Sequence, residues 1–264
     1  MSIDASGPTA IRSRENPLVK ELRQLARDNT AYRKSGRLWL EGDHLCRAAL
    51  DQGLKPVMAV FSESFWPLAP TEWTHVATKT IVIADQLLPE ISGLESPSRM
   101  GFVMDLPALP ALQPHTASVI LDRVQDAGNV GSILRSAAAF GFTQIIALKG
   151  TAALWSPKVL RAGMGCHFAL RLLESVEADA LTALKVPVVV TSSHQGSFLH
   201  HLVAHGGLPM PCAWAMGHEG QGVSESLMAS ASLRVRIGQP GGEESLNVAA
   251  AAAICLHAST IQAE

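Results

Sequence analysis

Cysteine is scarce in this chain, and the residue patterns that announce several common chemistries are missing. Four cysteines (Cys46, Cys166, Cys212 and Cys255) are scattered through 264 residues with no C-x-x-C pair. That spacing builds neither a disulfide framework nor a zinc site, and it reads as small buried hydrophobes in a reducing cytoplasm. No uninterrupted apolar run reaches membrane-spanning length, although 47% of the residues are hydrophobic. The polar start MSIDASGPTAIRSREN holds no signal-peptide core, so a cytoplasmic protein without a membrane is expected. No G-x-G-x-x-G follows the first strand, which argues against a dinucleotide-binding oxidoreductase. There is no G-x-x-x-x-G-K-[ST] phosphate loop and no G-x-S-x-G nucleophile elbow. His201 and His205 have i, i+4 spacing with no acidic residue between them. With His200 they read as solvated or locally hydrogen-bonded histidines, and no metal is expected.

What is present describes a globular protein of one large or two modest domains. Formal net charge is −2, so the whole chain is no generic polyanion binder. The charge is uneven, however. From Ile11 to Leu50 nine basic residues stand against five acidic ones, a local balance of +4. Such an arm, led by Arg12, Lys20, Arg33 and Lys34, hints at nucleic acid, with a solvated helix face as the other reading.

Along the chain, residues 1–10 read as a flexible tail. Asn16-Pro17 starts a helix with Leu18, Leu22 and Leu25 on one face, running to about Asp28. Arg37–Leu40 reads as a strand, and Asp43 as the cap of a second helix ending near Asp51. Strands are expected at Val57–Phe61, Thr80–Ile83 and Gly101–Met104, with a short helix over Asp85–Ile91. Residues 11–105 thus form a small α/β domain. The proline-rich stretch 106–117 reads as a linker, and 118–264 as a second α/β domain.

That second domain opens with strand Val119–Leu121 and the turn Asp126-Ala127-Gly128-Asn129, followed by a helix to about Phe140. Asn129 sits at the helix entry, and Arg135 lies six residues on, lining a site or lying over the helix surface. After strand Gln144–Leu148, Ser156-Pro157 starts a helix that presents Lys158 and Arg161 on one face. Trp155 just before it reads as a stacking platform or a hydrophobic staple. Strand Val188–Thr191 ends in Ser192-Ser193-His194, a candidate ligand loop. Two glycine-punctuated segments follow. AWAMGHEGQGVSESL (Ala213–Leu227) breaks at Gly217–Gly222, and Ser224 stands where a cap would go. RVRIGQPGGEESLNVAAAAAICLHA (Arg234–Ala258) breaks at Gly238–Gly242 before a helix that opens near Ser245-Leu246-Asn247. Each is strand, loop, helix, so both loops belong at carboxyl ends of strands, where open α/β sheets bind ligands. Glycine amides beside helix N-termini offer donors to a polar ligand.

In order, LDRVQDAGNVGSILRSAAAFG, AMGHEGQG and IGQPGGEESLNVAAAAAI resemble the three signature motifs of the SpoU (TrmH-like) RNA 2′-O-ribose methyltransferases of the SPOUT superfamily. SPKVLRAGMG is similar to the family's intervening segment, and IRSRENPLVKELRQL…YRKSGRLWLEGDHL to its small, ribosomal-protein-like substrate-binding domain. The resemblance implies a parallel α/β domain with a carboxyl-terminal trefoil knot, a homodimer, and S-adenosylmethionine held in the knot. It matches Gly217, Ile237 and Leu246 to backbone contacts with that cofactor, and Ser192, Gly220 and Asn247 are expected to bind it with them. It matches Asn129, Arg135, Glu219, Ser245 and Asn247 to the polar active-site set. There Asn129 and Asn247 would orient ribose or Arg135, Ser245 would shape the site, and Glu219 would hold the knot loop or Arg135. Two departures stand out: Ala127 replaces a common proline, and Gly163 a common serine. The implied reaction is methyl transfer to a ribose 2′-hydroxyl of RNA, ribosomal RNA ahead of transfer RNA. A non-catalytic RNA-binding protein on the same fold is the rival, and it predicts loss of the arginine or of the cofactor glycines, both retained here.

Overall fold

The computed structural model describes residues 7–192, 195–242 and 246–263. Its contacts group the chain up to Pro107 with Trp155–Arg161 in one compact unit, and Ala108–Leu154 with the chain from Ala162 onward in another.

The first unit is built on a mixed five-stranded sheet. Strands β1 (Thr9–Ile11), β2 (Arg37–Glu41), β3 (Met58–Ser62), β4 (Lys79–Ile83) and β5 (Met100–Asp105) lie in the order β1-β4-β3-β5-β2. β4 pairs parallel with β1 and β3, and β5 pairs antiparallel with β2 and β3. Thr9 and Ala10, read as tail, pair with Ile81 and Val82. Only Ile11 of this three-residue strand is buried, too little to leave a pattern. Helix α1 (Pro17–Arg27) starts as expected: the Asn16 side chain accepts from the Leu18 amide at 2.9 Å. Its buried face is Val19, Leu22, Leu25 and Ala26, with Val19 taking the place expected of Leu18. Each such aliphatic side chain contributes roughly 1.5–3 kcal/mol by leaving water. Helices α2 (Ala31–Ser35), α3 (Asp43–Asp51), α4 (Thr71–Thr74) and α5 (Leu88–Ile91) complete the unit. The cap of α3 is Gly42, at φ 97°, and Asp43 is its first residue, favourably placed against the helix dipole.

The second unit is an all-parallel seven-stranded sheet. Its strands are β6 (Ser118–Asp122), β7 (Gln144–Leu148), β8 (Arg171–Val176), β9 (Val188–Thr191), β10 (Ser197–Phe198), β11 (Ala213–Gly217) and β12 (Leu233–Arg236). Their order is β10-β12-β9-β11-β6-β7-β8. β6, β7 and β11 are buried along their whole length, as expected of strands covered on both faces. β8 was not expected; RLLESV mixes polar and apolar residues, because this edge strand is only partly covered. From β6 the chain moves outward through β7 and β8, then crosses to build β9 to β12 on the other side. The switch point therefore falls between β6 and β11, and the carboxyl edge of such a sheet is where ligands bind.

Helices α6 (Ala127–Ala139), α7 (Pro157–Gly163), α8 (Leu199–Ala204), α9 (Glu225–Ser230) and α10 (Val248–Ala263) belong to this half of the sequence. Asp126 caps α6, accepting from the Asn129 amide at 2.7 Å. Ser156 starts α7, accepting from the Val159 amide at 3.3 Å. Trp155 is buried, which leaves it no free face for stacking. Tight packing explains two small residues. A Cβ on Gly131 would come within 2.3 Å of the Ala162 Cβ, and one on Gly163 within 2.4 Å of the His167 ring. His167 is 1% exposed, its Nε2 2.9 Å from the Leu154 carbonyl, and burial pushes its pKa down to about 4. The departure from serine at position 163 is thus tied to a buried imidazole. α10 opens at Val248, three residues later than expected. Asn247 is its cap, accepting from the Ala249 and Ala250 amides at 2.9 and 3.2 Å. The helix is pinned to β11 by a buried bond from Trp214 Nε1 to Ser259 Oγ, 2.9 Å.

Candidate active site

β6 and β11 end side by side, Asp122 opposite Gly217, and the loops that leave them are stitched together. Gly217 is required at that point: a Cβ there would lie 2.1 Å from Gly222 C and Val223 N, where the loop folds back on itself. His218 and Gly222 exchange backbone hydrogen bonds across this fold. The His218 Nδ1 accepts from the Gly220 and Gln221 amides at 3.0 and 3.2 Å. The loop so formed projects Glu219 toward the start of α6.

Glu219 accepts from the Gln125 amide (3.3 Å), the Asp126 amide (3.1 Å) and the Asn129 side-chain amide (3.1 Å). Asn129 in turn accepts from Asn247 Nδ2 at 2.9 Å. One chain of bonds thus joins the ends of β6 and β11 and the start of α10. Partial burial pushes the Glu219 carboxyl up, but these donors and its own amide outweigh that and hold it below the usual glutamate range. Glu219 is a fixed carboxylate that organises the turn.

Sequence reasoning passed over a second anchor. Asp122, 2% exposed, accepts from the Ser224 amide at 2.6 Å and from Arg123 Nε at 3.1 Å. Arg123, at φ 63°, reaches on to Gln221 Oε1 at 2.9 Å. The signal was there: an acidic residue ending the fully buried strand SVILD.

Beside this network lies a cavity of about 520 Å³, in the range of small-molecule sites. Ser192, Gly217, Gly220, Ile237, Leu246 and Asn247 all line it, together with His218, Glu219, Gln239 and Val248. Every described residue assigned to cofactor binding is therefore brought to one wall or another of it. The lining alternates backbone donors with aliphatic surface, which fits an adenosine-bearing ligand. Ser245 lies outside the described residues.

Arg135 stands apart. It is exposed on α6, does not line the cavity, and makes no hydrogen bond or ion pair among the described residues. The expectations that Glu219 holds it, or that Asn129 and Asn247 orient it, do not match the bonds present: those three bond each other and the 125–126 backbone.

In the first unit, Arg12 pairs with Glu63 at 2.6 Å and Lys20 with Glu15 at 2.7 Å. Arg33 lies over the Tyr32 ring, its guanidinium carbon 5.5 Å from the centroid, and donates to the Tyr32 hydroxyl. Lys34 is exposed and borders a cleft of about 410 Å³ with Glu21, Gln24 and Arg37. The structure leaves these four on the surface. Among the described residues no group of three or more His, Cys, Asp or Glu is placed to hold a metal, and no helix is long and apolar enough to cross a membrane. His205 bonds through Nδ1 to the His201 carbonyl at 2.7 Å. The four cysteines are free thiols.

Comparison with known proteins points the same way. The family described as SpoU rRNA Methylase matches residues 116–257, and an MRM3-like substrate binding domain matches residues 16–100. The chain is 27% identical to the 23S rRNA (guanosine(2553)-2′-O)-methyltransferase RlmP of Bacillus subtilis, over 94% of this chain and 97% of that one. It is 34% identical to human mitochondrial rRNA methyltransferase 3, over 56% of this chain and 37% of the relative. Among solved structures, the AdoMet-bound rRNA methyltransferase from Sinorhizobium meliloti superposes with a TM-score of 0.79 at 26% identity, covering 95% of this chain and 97% of that one. With the motifs in order and the matched segment spanning more than half its length, the chain belongs to the SpoU rRNA methylase family.

Proposed function

We propose that this protein is an S-adenosylmethionine-dependent RNA methyltransferase that methylates a ribose 2′-hydroxyl of ribosomal RNA. The observation that carries the reading is the cavity beyond the carboxyl ends of β9, β11 and β12, walled by both glycine loops and the α10 cap and flanked by the Glu219–Asn129–Asn247 chain. Ribose is the target because the 2′-hydroxyl distinguishes RNA, and ribosomal RNA because the relatives named above act on it.

Ser192, Gly217, Gly220, Ile237, Leu246 and Asn247 hold the cofactor, whose sulfonium supplies a methyl group already electrophilic without a metal. Rate then comes from positioning the ribose oxygen in line with that methyl. Asn129, fixed between Glu219 and Asn247, presents a rigid polar edge beside the cavity, and Ser245 shapes the adjoining loop. Arg135, with its donors uncommitted, binds the phosphate next to the target and stabilises developing alkoxide charge. Guanidinium stays protonated in proteins, so this clamp role suits it better than that of a base. Glu219, saturated by three donors, is no free proton acceptor.

Residues 11–105 serve as the substrate-binding domain, 106–117 as the linker and 118–264 as the methyltransferase domain. Arg12, Lys20, Arg33 and Lys34 contact the RNA backbone, Arg12 and Lys20 by exchanging their carboxylate partners for phosphates. A trefoil knot at the carboxyl end is supported by the strand order, in which β12 pairs between β9 and β10 though both precede it. A homodimer is supported by Ile254 and Ile261, seven residues apart and exposed on α10. A cytoplasmic location fits a ribosomal RNA substrate.

Calorimetric titration with S-adenosylmethionine, followed by methyl transfer to total ribosomal and transfer RNA with Arg135→Ala as control, tests the reading. Cofactor binding with ribosomal RNA labelling that the variant loses is the expected result. A well-folded chain that takes no cofactor would overturn it.

A further inference from the structure

Outside the cavity, four side chains at one edge of the second sheet form a cluster of rings and a cation. β10 is the edge strand, and its Phe198 pairs directly with Arg236 of β12. The Arg236 guanidinium carbon lies 4.2 Å from the Phe198 ring centroid, and its Nε donates to the Gly196 carbonyl at 3.2 Å, holding the fork over the ring. The turn into α8 adds two imidazoles. His200 and His201 have ring centroids 5.4 and 5.7 Å from that of Phe198 and 4.3 Å from each other. Both histidines are exposed, and Phe198 and Arg236 are half-buried. These rings are not core.

Their position matters. A Cβ on Gly238 would lie 3.6 Å from His200 Cε1 and Nδ1 and 4.0 Å from Phe198 Cδ1. Gly238 stands between Ile237 and Gln239, which both line the cavity. Cluster and cavity are thus two sides of one stretch of backbone. The local charge is also one-sided. From Ala180 to His218 the sequence has no aspartate or glutamate, while Arg234 and Arg236 lie on β12. Ring faces beside a guanidinium are what an unpaired base with its phosphate stacks against.

We infer that Phe198, His200, His201 and Arg236 form a stacking subsite for an unpaired nucleobase of the RNA substrate, bordering the cofactor cavity. The inference rests on the methyltransferase reading. It deepens that reading by placing recognition of an unpaired base in the second unit, beside the phosphate contacts assigned to Arg135 and to the first unit.

The test uses the full chain and two probes: a short fluorescein-labelled single-stranded oligoribonucleotide and the same sequence as a duplex. Phe198→Ala, and His200→Ala with His201→Ala, each weaken single-strand binding on the order of tenfold. Duplex binding and the S-adenosylmethionine Kd stay as in the wild type, and Phe198→Trp keeps the single-strand affinity. In methyl transfer the loss falls on KM for RNA more than on kcat. If Phe198→Ala does not fold, the double histidine variant, altered at the surface, and Arg236→Gln carry the comparison. Wild-type single-strand affinity in these variants overturns the inference. So does a parallel loss of cofactor binding, which would make the cluster a prop for the 237–239 wall. A wild-type chain that binds no cofactor, yet loses single-strand affinity in the variants, sinks the methyltransferase reading and leaves the subsite standing.

Discussion

The two units use the same charged residues for opposite ends. In the first, arginine, lysine and glutamate meet in exposed or half-buried pairs: Arg12–Glu63, Lys20–Glu15, Arg23–Glu90 and Arg37–Glu21, with side-chain exposures from 31% to 73%. In the second, the side chain of Asp122 is 3% exposed, and the carboxylates of Asp122 and Glu219 accept backbone amides from loops roughly a hundred residues away in sequence. An exposed pair is worth little to the fold and is free to trade partners. A buried carboxylate that satisfies backbone donors cannot be withdrawn without stranding them. The exposed carboxylates and cations of the first unit are thus available to a ligand, and the carboxylates of Asp122 and Glu219 in the second are spent on holding loops still.

The sharpest way to break this contrast is Asp122→Ala. It strands the Ser224 amide and frees Arg123, and a loss of about 3 kcal/mol or more is expected, read by urea unfolding, with cofactor affinity falling alongside. A pH series comes next. His167 is neutral when folded, with a pKa near 4, and would gain a proton near 6.5 once unfolded. Its contribution is fully present above pH 6.5 and is lost as pH falls toward 4. Between pH 7 and pH 5 the loss is about 2 kcal/mol, from the ~1.4 kcal/mol carried by each pKa unit. His167→Gln should flatten that slope; an unchanged slope would exclude His167 as its source. Asn247→Ala removes the α10 cap and the bond to Asn129, costing about 1 kcal/mol in thermal or urea unfolding and a larger factor in cofactor Kd. The smallest effect is expected from Arg12→Ala: under about 1 kcal/mol of stability, but a shallower salt dependence of RNA binding. A large stability loss there would erase the distinction between the units.

Local punctuation was legible in the sequence. Asn16-Pro17 and Ser156-Pro157 start helices where expected, and the buried strands of the second sheet announce themselves by continuous apolar runs. The two glycine loops did reach one cavity, because strand-loop-helix units of a parallel sheet deliver their loops to the same edge. What stayed hidden was what long-range contact decides. Thr9–Ile11 becomes a strand only because β4 offers it an edge, and RLLESV reads as strand only beside β7. Glu219 was singled out, yet its partners are backbone amides more than ninety residues upstream, which no side-chain pattern can mark. Asp122 ends an apolar run and so could have been singled out, but the amide it accepts from belongs to Ser224, 102 residues on.

Gly163 and His167 illustrate how such closeness constrains substitution. The imidazole occupies the volume a side chain at 163 would need. Serine introduced alone at 163 would meet the imidazole, and the site opens to it only when 167 is emptied as well. The pair is one volume divided between two residues, so neither position can be engineered by itself.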